Sequence, residues 1–157
     1  MRDPHADYTT KESQWSVADT VERLCALIAE RGMRIFNTID QRAAAQSVGQ
    51  DLRETVLIIF GNPAAGTSVM DAEPLAGLDL PLKLLVWDDD GRTRVSYLTP
   101  AALAARFELS PSLAAPLAGI DQLTEVALTD ATGGPSANSD TPSTYRKGDP
   151  ASPAEQR

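Results

Sequence analysis

Hydrophobic side chains at Val17, Val21, Leu24, Cys25 and Ile28 recur at helical spacing, on a segment that Ser16 opens and Gly32 closes. Ser16 has the chemistry of an N-cap, with Asp19 three positions on as its capping-box partner. Ahead of it, Tyr8-Thr-Thr-Lys-Glu-Ser13 alternates and is rich in threonine, which predicts an edge-type strand. Met33 to Ile39 reads as a second strand, and Asp40 is placed to cap a short helix through alanines 43–45 to Val48. Thr55-Val-Leu-Ile-Ile-Phe60 is apolar on both faces, the pattern of a central strand covered on each side. Pro63 suits the first turn of a short helix from Ala64 to Asp71. Leu82–Trp87 and Arg94–Leu98 flank Asp88-Asp-Asp-Gly91, whose Asp90-Gly91 step is a hairpin signal. Thr99-Pro100 starts a helix through Phe107, and residues 113–128 hold one or two further helical pieces.

The order β-α-β-α-β-α-β-β-α-α predicts an α+β domain of two layers. It is expected to hold a mixed β-sheet of about five strands with helices packed on one face. The domain is expected over residues 1–130. Composition changes after Asp130: residues 131–157 carry four prolines, three glycines and four serines, with Tyr145 the only large apolar side chain. Such a segment buries too little to offset the entropy of ordering it, so a disordered tail is expected there.

The formal charge of −8 comes from 22 acidic against 14 basic residues. An acidic surface repels phosphate backbones and anionic lipid, which argues against nucleic-acid and membrane partners. The first fifteen residues contain no apolar core of a secretory signal, and no apolar run reaches the ~18 residues of a membrane span. A cytoplasmic protein is the expectation.

Candidate chemistry is sparse. Gly61-Asn-Pro-Ala-Ala-Gly66-Thr67-Ser68 follows an apolar strand but places Thr67 where a phosphate-binding loop needs lysine. Asp88, Asp89 and Asp90 are consecutive, whereas a hard-cation loop needs ligands at alternating positions, so a solvated turn is the better reading. The single histidine, His5, and the single cysteine, Cys25, supply neither a zinc set nor a nucleophile with its base, and Cys25 falls on the inward stripe of the first helix. No metal and no cofactor is expected. The polar residues at element ends are more informative: Asp40, Gln41, Asn62, Asp79 and Lys83, with Gly61, Pro63 and Pro81 shaping the corners beside them.

Thr20-Val-Glu-Arg-Leu24, Gly32, Ile39-Asp40, Phe60-Gly-Asn-Pro63, Gly77 with Leu80-Pro81, and Leu98-Thr-Pro100 stand in an order and spacing that resembles the domain of unknown function 302 family. The resemblance covers roughly Trp15 to Leu103 and implies a compact α+β fold that often self-associates. It supplies no catalytic residues. Many members of that family carry a histidine directly after the aspartate matching Asp40; Gln41 stands there in this chain, which removes an imidazole that proton transfer or metal binding would use.

These features lead to a non-enzymatic homodimeric module that binds a small ligand or a protein partner. Its groove is expected to be built from Asp40-Gln41, Gly61-Asn62-Pro63, and Asp79 through Pro81 with Lys83. The alternative is an enzyme acting on a small metabolite by carboxylate acid/base chemistry, with Asp40 or Asp79 as base and Lys83 as electrostatic stabiliser. A purely structural interaction protein is the third possibility. Convergence of these side chains in one concavity separates the first two from the third.

Overall fold

A computed structural model of the chain describes residues 1–129, so the tail expected over 131–157 lies outside the described residues. Five strands, β1 (Tyr8–Ser13), β2 (Arg34–Asp40), β3 (Thr55–Gly61), β4 (Leu82–Asp89) and β5 (Arg92–Leu98), form one sheet in the order β1-β5-β4-β3-β2. Six helices accompany them: α1 (Val17–Glu30), α2 (Gln41–Ser47), α3 (Pro63–Ala72), α4 (Pro100–Arg106), α5 (Pro111–Ala114) and α6 (Gly119–Leu128).

The expected local signals have visible physical counterparts. Ser16 Oγ accepts a hydrogen bond from the Asp19 amide at 3.1 Å and starts α1. Asp90 and Gly91 both take positive φ, 50° and 87°, as a two-residue hairpin turn demands. Asp88 Oδ1 ties that turn by accepting from the Gly91 amide at 3.1 Å, so this aspartate works as a turn residue. Pro63 sits at the start of α3, and Thr99 caps α4 by accepting from the Ala102 amide at 3.1 Å.

All four strand pairings are antiparallel, in place of the mixed sheet expected. The reason lies in where the first crossover lands. α1 carries the chain from β1 to β2, and those two strands do run in the same direction, but they occupy opposite edges of the sheet. β3, β4 and β5 fill the space between them, each antiparallel to its neighbours.

Side chains alternate between the two faces of each strand. Ile58 and Phe60 of β3, Leu84 and Val86 of β4, and Val95 and Tyr97 of β5 point to one face and are buried. They pack there against Val17, Leu24 and Ile28 of α1 and Ile120, Leu123 and Ala127 of α6. This is the main core, and the two helices form the second layer. Leu57 and Ile59 of β3 and Leu85 and Trp87 of β4 alternate to the opposite face and are only half-buried. A second core of Val69, Ala76, Leu80, Leu103 and Leu117 closes one end of the sheet. There a 3-10 turn, Pro74–Leu78, stands where no element was expected.

Polar contacts tie β1 and β5 to α6. The Tyr97 hydroxyl donates to Asp121 Oδ1 at 2.5 Å, while Lys11 Nζ donates to Thr124 Oγ1 at 2.8 Å and to the Asp121 carbonyl at 3.0 Å. Burial, then the Asp121 hydrogen bond, pushes the Tyr97 phenol above its ordinary pKa, with Thr124 and Lys11 opposing. A folded-state pKa raised above the unfolded value gives stability that is complete below the unfolded value of ~10 and is lost as pH climbs through the raised one. Urea midpoints measured from about pH 9 to 11 should therefore fall more steeply for the native chain than for Tyr97→Phe. Parallel curves would show that this phenol contributes no linkage.

Candidate functional site

The residues expected to share one groove are distributed over three places. Asp40 lies at the far end of β2, paired with Val56, whereas Gly61 at the other end of β3 pairs with Arg34. Five residue steps of β3, from Val56 to Gly61, separate the two ends, about 17 Å at the rise of an extended chain. Asp40 Oδ1 accepts from the Ala43 amide at 2.9 Å and caps α2, of which Gln41 is the first residue. Asp40 and Gln41 thus stand apart from the other candidates. The apparent link between them was only that each occupies an element end, and the antiparallel β2–β3 pair puts those ends at opposite sides of the sheet.

Gly61, Asn62, Pro63 and Pro81 do converge. They line a cavity of about 240 Å³ together with Met33, Phe36, Met70, Pro116 and Leu117. The Leu80–Pro81 peptide bond is cis. The polar group of this corner is already engaged: Asn62 Oδ1 accepts from the amides of Ala64 at 3.0 Å and Ala65 at 3.4 Å, capping α3. What remains is an apolar hollow. The Gly61–Ser68 segment makes a capped helix start, consistent with its lacking a phosphate-binding lysine.

Asp79 and Lys83 meet in a different cavity, of about 280 Å³, and its origin is an irregularity of the sheet. β4 and β5 pair from Asp89↔Arg92 back to Leu85↔Ser96, and there the ladder stops. Both strands continue, β4 back to Leu82 and β5 on to Leu98, held on their outer sides by β3 and β1. The sheet therefore forks, and the fork is the cavity. Leu57, Leu82, Leu85, Leu98, Leu103 and Ile120 give it apolar walls. Tyr8, Asp79, Lys83, Ser96 and Arg106 supply polar atoms.

Asp79 is paired with Arg106, whose Nη1 donates to its Oδ2 at 2.8 Å. That hydrogen bond and the attraction of the Asp79 charge raise the guanidinium pKa, so Arg106 is a permanent cation here. Asp7 Oδ2 lies 3.9 Å from Arg106 Nη2. Lys83 Nζ donates to the Pro81 carbonyl at 3.3 Å and forms no ion pair among the described residues. Asp79 and Lys83 share a cavity without pairing with one another. Tyr8, Ser96 and Arg106 were not anticipated as site residues. A lone arginine in an alanine-rich helix and a tyrosine on an edge strand look like ordinary surface residues, and nothing in the sequence brings them together.

Cys25 is half-buried against the main core, and burial raises its thiol pKa, with Thr38 opposing. Among the described residues no three His, Cys, Asp or Glu side chains are grouped to hold a metal ion.

A family model described as "Domain of unknown function DUF302" matches residues 9–127. Among curated proteins, Fluoride-specific ion channel FluC 1 of Brucella suis is 43% identical over 104 residues, covering 66% of this chain and 41% of the relative. FluC 1 of Brucella abortus and FluC 2 of Brucella melitensis match at the same identity over 38% of their length. The chain thus spans about two fifths of these relatives. The crystal structure of an uncharacterized conserved DUF302 protein from Bacillus stearothermophilus superposes with a TM-score of 0.66 at 23% identity, over 78% of this chain and 96% of that one. It shares the fold.

Proposed function

We propose that this chain, which belongs to the DUF302 family, is a non-enzymatic, homodimeric module that binds a small ligand in the fork between β4 and β5. The fork carries the reading. Two strands give up pairing with one another around a space whose walls are apolar and whose polar atoms are few, the composition of a small-molecule site. Against the acid/base alternative stand the engagement of Asp40 in a helix cap and of Asp79 with Arg106. The acidic composition and the single cysteine fit a reducing cytoplasm. A ligand bound only by the folded state raises the melting temperature. In a thermal-shift screen of a metabolite library, a subset of compounds should raise it by several degrees. A library that leaves it unmoved would overturn the reading.

The Brucella relatives point to a class of partner. They are named fluoride-specific ion channels, and this chain matches about two fifths of their length. Among the described residues no helix is long and apolar enough to cross a membrane. We read the module as the counterpart of the matched part of such channels, with a fluoride channel as its partner, a departure from the expectation of no membrane partner. Tagged chain should retain a detergent-solubilised fluoride channel on an affinity column, at near-equal stoichiometry. Recovery no greater than with an unrelated membrane protein would refute this partner.

A further inference from the structure

The chemistry of the fork narrows the ligand. Two cations line it, and they differ in their engagement. Arg106 is neutralised by Asp79 at 2.8 Å, with Asp7 at 3.9 Å. Lys83 is half-buried, bonded only to the Pro81 carbonyl, and without an ion pair among the described residues. A cleft holding one uncompensated positive charge among leucines selects against three kinds of occupant. A cation meets Lys83 and Arg106. A phosphate dianion brings a second negative charge beside Asp79, in a protein whose formal charge is already −8. A wholly apolar molecule desolvates the ammonium of Lys83 further, with only the Pro81 carbonyl to offset the cost.

The remaining class is a monoanion with an apolar body, and the size of the cavity bounds that body. About 280 Å³ lies at the low end of small-molecule pockets, which run from about 300 to 1,000 Å³, so that body is compact. We infer that the fork binds a free monocarboxylate with a compact aromatic or medium-chain aliphatic body. Its carboxylate sits on Lys83, and its body lies between Leu82 and Leu85 of β4 and Leu98 of β5. This deepens the small-ligand reading above and rests on it.

Octanoate and benzoate are suitable probes, with 1-octanol as the uncharged control, titrated into the full 157-residue chain by calorimetry. A charge-assisted hydrogen bond in a partly desolvated site should make octanoate bind at least about tenfold more tightly than octanol. Lys83→Met keeps the aliphatic stem and removes the charge. It should cut octanoate affinity by about the same factor and leave octanol unchanged or improved. Leu85→Trp keeps the face apolar and fills the cleft, so it should weaken both probes; Leu57→Phe serves the same purpose if the tryptophan variant does not fold. The failures are separable. Octanoate no better than octanol, with both weakened by the filling variant, overturns the anion preference and leaves the site standing. Binding of both probes that ignores the filling variants, or no binding of either, overturns the assignment to the fork together with its ligand class.

Discussion

Phe60→Ala is expected to cost about 3–5 kcal/mol of folding stability, the range for removing a large aromatic side chain from a packed core. Phe60 is 0% exposed and is the largest of the fully buried side chains. It sits on β3, an interior strand of the sheet, with Ile35 of β2 and Leu82 of β4 as its cross-strand neighbours, and faces the helical layer. Truncation leaves a void that strands fixed on both sides cannot collapse around. Domains of this size are stable by only about 5–15 kcal/mol, so the variant should lie near the edge of folding at 25 °C. Urea unfolding followed by circular dichroism measures it, with a lower midpoint and an unchanged slope. Val48→Ala, at a position 71% exposed, is the internal control and should stay within about 0.5 kcal/mol of the native chain. A Phe60→Ala midpoint close to that of Val48→Ala would mean that the core is not built as described.

The second large effect concerns assembly. The helical layer of α1 and α6 covers one face of the sheet, and Leu57, Ile59, Leu85 and Trp87 gather half-buried on the other. Half-buried apolar side chains on the face that α1 and α6 leave open fit an interface, and a two-fold dimer is the commonest arrangement that buries one. We therefore expect light scattering at micromolar concentration to give about twice the 16.8 kDa chain mass. Trp87→Arg places a charge beside Arg94, its cross-strand partner, on the apolar face that a second copy would cover. It should shift the species to the single-chain mass while the circular dichroism spectrum is retained. A native chain that already runs as a monomer would refute the dimer, and an undiminished mass in Trp87→Arg would place the interface elsewhere.

Much of the fold was legible wherever one residue type has one physical use. The stripe through Leu24 and Ile28, the cap at Ser16, the Asp90-Gly91 turn and the proline at the head of α3 each encode a local geometry, and each is present. Strand neighbourhood is not local. Nothing along the chain says that β2 will settle at the far edge from β1 and admit three strands between them, so the βαβ order suggested parallel neighbours that do not exist. The site suffered in the same way. Asp79 and Lys83 were found because polar residues at the ends of apolar elements stand out, but Arg106, Tyr8 and Ser96 reach the same space from three other elements. The fork itself is a lack of pairing between two strands that each look regular, and a lack of pairing leaves no mark on composition or periodicity.

Leu57 and Leu85 belong both to the wall of the fork and to the apolar face on which a second copy would sit. The last rung of the β4–β5 ladder, Leu85↔Ser96, is where the two meet. Occupancy and assembly would then be thermodynamically linked, and reciprocally: whatever factor the ligand applies to the dimerisation constant, dimerisation must apply to ligand affinity. Under that linkage, the apparent affinity of the module would depend on how much of it the cell makes.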